Sequence, residues 1–292
     1  MTTHRTSFPA SGPPGRPRGV LCLGMALLSA CAGTPLLEPT GPPRAETVVA
    51  VTDAAELIRF NAGQPQRVLQ RLPLRGLPAG DRLVGIDYRV ARGVLYGLSA
   101  GGWLYTIDTD TAQLTRVGDG APVNLKGTRF GVDFNPAADR LRVVSDEGQN
   151  LRLHPDTGAL VATDPAVTGP GVAVRLGGAA YTYNKKDDKL TSNFVIDMAS
   201  GTLMLQGTRE GAVPAVSPNT GLLTAVGTVG TLGTGPLEDA AFDIADTSNA
   251  ALAALRVAGK TRLHLVDLDT GRATLIGTVG NGRAIWGLAI VP

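Results

Sequence analysis

Thiols are almost missing from this chain: of 292 residues only Cys22 and Cys31 are cysteine, so beyond residue 31 there is neither a disulfide nor a cysteine-ligated metal site to build. Histidine is nearly as scarce, with His4, His154 and His264 the full set, which leaves no cluster of imidazoles for a zinc centre or a histidine-based triad. Aromatic residues make up 4% of the chain, and 27 basic residues face 25 acidic ones. A surface without a basic stripe interleaved with aromatics excludes nucleic acid as an expected partner. No apolar run is long enough to span a bilayer as a helix.

The short apolar run that does occur, Val20 to Ser29, follows a leader carrying Arg5, Arg16 and Arg18 and ends in Leu28-Ser29-Ala30-Cys31. A basic start, about ten apolar residues and a small-residue end describe an export signal rather than a span. The final four residues resemble the bacterial lipobox, which implies a diacylglycerol on Cys31 as the first residue of the mature protein. Alanine rather than aspartate at position 32 implies, in a diderm host, an outer-membrane anchor facing the periplasm or the surface. Loss of the leader removes the three arginines, so the mature chain passes from +2 to slightly negative. The expected division is a signal over 1–30, a Pro/Gly-rich tether over 31–47 and a folded domain over 48–292.

That domain is repetitive. Trp103-Leu104-Tyr105-Thr106-Ile107-Asp108-Thr109-Asp110-Thr111 and Leu263-His264-Leu265-Val266-Asp267-Leu268-Asp269-Thr270-Gly271 run an alternating strand into a turn. Shorter copies are Leu151 to Leu160 and Asn193 to Leu203, with a degenerate one at Val216 to Leu223. The period is two, and Asp-Thr-Gly supplies the backbone that a hairpin turn needs. Upstream of the hairpins recur Gly85-Ile86-Asp87-Tyr88, Gly131-Val132-Asp133-Phe134, Ala179-Ala180-Tyr181 and Ala241-Phe242-Asp243-Ile244, with Gly287-Leu288-Ala289-Ile290 at the end. The spacing between these anchors is about 46 residues, apart from one longer step after Ala179, and it matches the blade length of propeller repeats.

The expected fold is therefore all-β: a propeller of five four-stranded blades, the last closed by pairing the C-terminal strand at Ile285 to Val291 with an N-terminal strand at Val48 to Val51. Six blades are the alternative if Ala179 to Gly227 splits in two. Asn249 to Arg256 has the alanine and leucine content of a helix, but its place in the repeat requires a strand.

Candidate functional residues lie on or beside the inner strands, where a propeller's loops converge on its axis: Asp87, Arg129, Asp133, Asn135, Glu238, Asp239, Asp243, Arg283 and Trp286. Arg129 and Asp133, four apart, are expected on one face of one strand, within reach of an ion pair. Asp108 and Asp110, like Asp267 and Asp269, stand two apart before a turn, as in calcium loops; the same residues also favour turns by bonding their own backbone. No metal is expected there. Gly97-Leu98-Ser99-Ala100-Gly101 matches a nucleophile elbow, but Trp103-Leu104-Tyr105 continues as a strand where that chemistry needs a helix.

Gly127-Thr128-Arg129-Phe130-Gly131-Val132-Asp133-Phe134-Asn135-Pro136 through Ser145, then Gln149-Asn150-Leu151-Arg152 and Leu237 to Ile244, resemble a bacterial domain-of-unknown-function family, number 4394, of exported propeller-like proteins. The resemblance runs from about Val48 to Pro292 and departs in the third blade, at Lys185 to Lys189 and Thr208 to Ala215. It implies a propeller and an envelope location, and it brings no activity, cofactor or catalytic residue. Two functional classes stand. The first is a non-catalytic envelope lipoprotein that binds a ligand or protein, with no cofactor. The second is a calcium-dependent propeller hydrolase resembling the lactonase type, acting at the axial channel.

Overall fold

The computed structural model describes residues 1, 2, 4, 12, 41–169, 173–187 and 189–292. Nearly all of the expected export signal, Cys31 and most of the expected tether lie outside the described residues. The chain divides into units 1–37 and 38–292, and every strand among the described residues belongs to the second unit. Among the described residues no helix is long and apolar enough to cross a membrane.

Among the described residues, twenty strands build the second unit. Thr47–Thr52 (β1), Glu56–Asn61 (β2) and Val68–Pro73 (β3) come first. Blade 1 is Leu83–Arg89 (β4), Val94–Ser99 (β5), Leu104–Ile107 (β6) and Leu114–Arg116 (β7). Blade 2 is Phe130–Asn135 (β8), Arg140–Ser145 (β9), Asn150–Leu153 (β10) and Leu160–Thr163 (β11). Leu176–Tyr181 (β12), Asn193–Asp197 (β13), Thr202–Gln206 (β14) and Leu223–Ala225 (β15) form blade 3. Asp239–Ile244 (β16), Ala251–Val257 (β17), Lys260–Val266 (β18) and Ala273–Thr278 (β19) form blade 4. Ile285–Ile290 (β20) then pairs with β1, so blade 5 reads β20-β1-β2-β3 and closes the ring.

This is the five-bladed propeller expected from the repeats. Closure is antiparallel, with Val48 opposite Ile290 and Ala50 opposite Leu288. The alanine-rich segment is β17, a strand, because β16 on one side and β18 on the other supply its hydrogen bonds. Gly41 to Glu46, expected as tether, lies against blade 5: Arg44 N donates to Asn61 Oδ1 at 2.8 Å, and Gln64 Nε2 donates to the Gly41 carbonyl at 3.0 Å.

The third blade corrects the repeat alignment in one respect. Asp108 to Thr111, Asp156 to Gly158 and Asp269 to Gly271 turn between the third and fourth strands of their blades. Asp197 to Gly201 instead turns between β13 and β14, the second and third strands. Asn219-Thr220-Gly221, expected as a degenerate hairpin, belongs to the long loop that carries β14 into β15. Turn residues report that the chain reverses; they do not report which strand of the blade they follow.

Burial falls from the axis outward. All seven residues of β4 and all six of β12 and β16 are buried, whereas β3 alternates half-buried and exposed and β11 is mostly exposed. Small residues let the inner strands meet. A Cβ on Gly85 would lie 2.4 Å from Val132 Cγ2 in the next blade, and one on Gly178 would lie 2.7 Å from Phe242 Cβ. At that level the axis is filled, with a cavity of only about 10 Å³.

Candidate functional site

Each inner strand leaves the glycine level towards one mouth of the ring, and there the alternation of a strand places Asp87, Asp133 and Asp243 at equivalent positions of blades 1, 2 and 4. Their carboxylate oxygens come within 4.8 Å of one another, and all three residues are buried. In blades 3 and 5 the same position holds Ala180 and Ala289.

The three carboxylates clasp the next blade. Asp87 accepts the N–H of Tyr88 on its own strand and that of Phe134 on β8, both at 2.7 Å. Asp133 accepts from Tyr181 N on β12 at 3.0 Å. Asp243 accepts from Ile244 N at 2.6 Å and from Ile290 N on β20 at 2.5 Å. An inner strand at a crowded axis needs such acceptors, since a buried N–H left unpaired costs about 1–3 kcal/mol. Between blades 3 and 4, where Ala180 offers none, Asn249 takes the part: its Oδ1 accepts from Tyr183 N at 2.8 Å and its Nδ2 donates to Tyr183 O at 2.9 Å.

Burial raises the proton affinity of all three carboxyls. Desolvation is the main cause for Asp87, joined by the charge of Asp243; for Asp133 desolvation is joined by Asp87 and Asp243. Asp243 is pushed up to about 7, burial outweighing the two backbone N–H groups that favour its charged form. The Tyr183 phenol feels the triad's charge: burial, followed by those same carboxylates, raises its proton affinity. Among the described residues this triad is the group of acidic side chains placed to hold a metal ion, and its ligands would be hard oxygens suited to calcium or magnesium.

The remaining candidates are distributed elsewhere. Arg129 does not pair with Asp133: it precedes β8, turns to the opposite mouth and meets Asp239 at 3.0 Å. Proximity along one strand lost to the attraction of a buried carboxylate across the ring. Burial lifts Asp239 to about 6, against the pull of Arg129, Arg256 and Arg82. At that mouth the Arg82 guanidinium lies 4.5 Å from the Trp286 ring centre. Glu238 pairs with Arg256 at 3.3 Å on the rim, and Arg283 pairs with Asp53 at 2.7 Å beside blade 5. Asn135 ends β8, where Oδ1 accepts from Ala137 N and Ala138 N.

Asp108 and Asp267 cap turns. Asp108 Oδ1 accepts from Asp110 N, Thr111 N and Thr111 Oγ1, and Asp267 Oδ1 accepts from Asp269 N and Thr270 N. Those bonds hold both carboxyls below the usual range. Ser99 is fully buried within its hairpin and accepts from Trp103 N at 3.3 Å.

A second polar group carries no motif that points to it. Arg142, 1% exposed in the middle of β9, donates from Nε to Tyr181 Oη, from Nη1 to Asn150 Oδ1 and from Nη2 to Asn219 Oδ1, each at 2.5 Å. Gln206 Nε2 reaches Asn150 Oδ1 at 3.3 Å and ties β14 into the network. Arg152 on β10 grips Asp164 with two bonds of 2.8 Å. A signal is nonetheless present: Arg140 and Arg142 stand two apart, at the strand period, in an otherwise apolar strand, and Arg152 sits between Leu151 and Leu153 in the next.

A closed ring of five antiparallel blades with its polar groups gathered at the axis and at one joint defines a small β-propeller. The chain belongs to the family described as Domain of unknown function (DUF4394), which matches residues 56–289. No curated protein matches the chain. Among solved structures it is similar to a structural-genomics protein of unknown function from Bacteroides thetaiotaomicron, at 12% identity and a TM-score of 0.50, covering 78% of this chain and 56% of that one. It is also similar to the dihydro-heme d1 dehydrogenase NirN in complex with DHE (17%, TM-score 0.37, covering 85% and 46%) and to a putative 6-phosphogluconolactonase from Bacteroides uniformis (13%, TM-score 0.40, covering 83% and 73%). The chain spans about half the length of the first two of these. The first of these likenesses bears on the fold alone, and no argument rests on the other two.

Proposed function

We propose that this protein is a lipid-anchored module of the bacterial envelope that binds a ligand through its propeller and catalyses no reaction. One observation carries the reading. The converging carboxylates, the natural candidates for chemistry, are 3–5% exposed, and each commits one oxygen to a backbone N–H of the neighbouring blade, Asp87 and Asp243 giving their second oxygen to their own strand. Groups used in this way serve the ring. The basic leader and Leu28-Ser29-Ala30-Cys31 support the anchor. Cys31→Ala should release the protein from membranes and abolish lipid labelling; unchanged fractionation would contradict the anchor.

The 4.8 Å convergence of Asp87, Asp133 and Asp243 favours a second reading, a calcium-dependent hydrolase. In such an enzyme the ion would polarise a substrate oxygen. Metal analysis of the purified protein, with ester and lactone turnover measured before and after chelation, separates the two. The binding-module reading predicts no chelator-sensitive turnover; stoichiometric calcium coupled to turnover would replace it with the second.

A further inference from the structure

Between blades 2 and 3, at the mouth where the inner strands end, lies a cavity of about 110 Å³ whose lining includes Arg140, Arg142, Arg152, Asn135, Tyr181 and Asn219. Three guanidinium groups line one small space, Arg142 buried and Arg140 and Arg152 half-buried, so like charges meet there and call for counter-charge, most of all at the buried Arg142. Asp164 supplies one. It binds Arg152 through both oxygens at 2.8 Å and stands 3.5 Å from Arg142 Nη1. The other acceptors around Arg142 are the neutral oxygens of Tyr181, Asn150 and Asn219, and Arg140 donates from Nη1 to the Asp139 carbonyl. Among the described residues Arg140 forms no ion pair. One carboxylate is therefore shared by Arg142 and Arg152, and Arg140 has no carboxylate of its own.

We propose that this cavity is a binding site for a small oxyanion, the phosphate or carboxylate group of a solute, seated between the guanidinium groups of Arg140 and Arg142. The chemistry follows from the donors. A guanidinium presents paired N–H groups that match two oxygens of a carboxylate or phosphate. Of the five N–H groups on Arg142, one on Nη2 is not taken by the four acceptors named above. Arg142 is held in place before any ligand arrives, so little ordering entropy opposes binding. Asn135, Tyr181 and Asn219 are amide and hydroxyl groups suited to the uncharged, hydroxylated part of such a solute. The inference rests on the binding-module reading and names its ligand class.

The test measures the thermal midpoint of the full chain in detergent against inorganic phosphate, acetate and, at matched ionic strength, chloride. An anion bound by the folded state alone raises the midpoint saturably. Phosphate or acetate should do so, and chloride should not; whichever oxyanion saturates at lower concentration identifies the group. Arg140→Gln should unfold at nearly the wild-type midpoint without ligand and bind about tenfold more weakly or worse. Arg140→Lys, which keeps the charge but loses the fork, should fall between the two. Equal shifts with all three anions, or an Arg140→Gln response matching wild type, would overturn the site. Failure here leaves the anchor and the absence of turnover standing. Chelator-sensitive turnover would remove the binding-module reading while leaving the anion response in place.

Discussion

The joint between blades 3 and 4 and the joint between blades 2 and 3 solve one packing problem in opposite ways. At the first, Phe194, Ile196, Leu203, Phe242 and Leu255 belong to the largest apolar cluster among the described residues, and Ala180 stands where blades 1, 2 and 4 carry aspartate. At the second, the apolar cluster is the smallest among those residues, with Val144, Leu176, Ala179 and Val195 at its centre. Beside it sit Arg142, Tyr181, Asn150 and Gln206, all buried, and Asp133 closes the axial end. Apolar packing is nondirectional and fills space; a guanidinium network is directional and leaves gaps where its donors diverge. The difference explains why the small polar cavity lies at the second joint.

The sharpest way to break this comparison is to cut each joint through the interaction that holds it. Phe194→Ala removes a fully buried ring from the joint of blades 3 and 4 and should cost about 3–5 kcal/mol of stability, read from equilibrium denaturation. Arg142→Met removes the charge and leaves Tyr181, Asn150 and Asn219 short of a donor, so it should cost roughly 1–3 kcal/mol by the same measurement. A larger loss for Arg142→Met than for Phe194→Ala would show that the polar joint carries more of the fold than its apolar neighbour.

The smallest effect is a slope with pH. A carboxyl whose affinity for protons is higher in the folded state binds more protons folded than unfolded, so its stabilising contribution is full below about pH 3.9 and is lost as pH rises through the folded value. Asp133 and Asp243 are both shifted upward, Asp243 to about 7, so the midpoint should fall between about pH 4 and pH 8. Asp133→Asn keeps an acceptor for Tyr181 N and should flatten that fall. Asp108 and Asp267, shifted downward, act with the opposite sign and only below about pH 4. A midpoint that rises over the same range would contradict the assignment.

Much of the architecture was legible because its signals are local. Asp108-Thr109-Asp110-Thr111 and Asp267-Leu268-Asp269-Thr270-Gly271 mark reversals through bonds to their own backbone, and small residues such as Gly85 and Gly178 mark strands that must meet at an axis. Asp87, Asp133 and Asp243 were legible as inner-strand polar residues for the same reason. Partners across the ring were not: Arg129 and Asp239 lie far apart along the chain, and only the closed ring brings them together. Arg142 escaped because a charge within Arg140-Leu141-Arg142-Val143-Val144 reads as a solvated face of a strand, whereas the fold buries both faces of β9 over most of its length. The turn at Asp197 is plain in the sequence, but its place within the blade is not, since every hairpin of a blade reverses the chain alike.

Native-state hydrogen exchange in low denaturant, followed along the five inner strands, tests most directly whether the two joints differ. If they do, β8 and β12, which flank the polar joint, open in a step below the global one while β16 and β20 stay protected. Exchange of all five inner strands in one cooperative step, or earlier opening at β16, would contradict the difference.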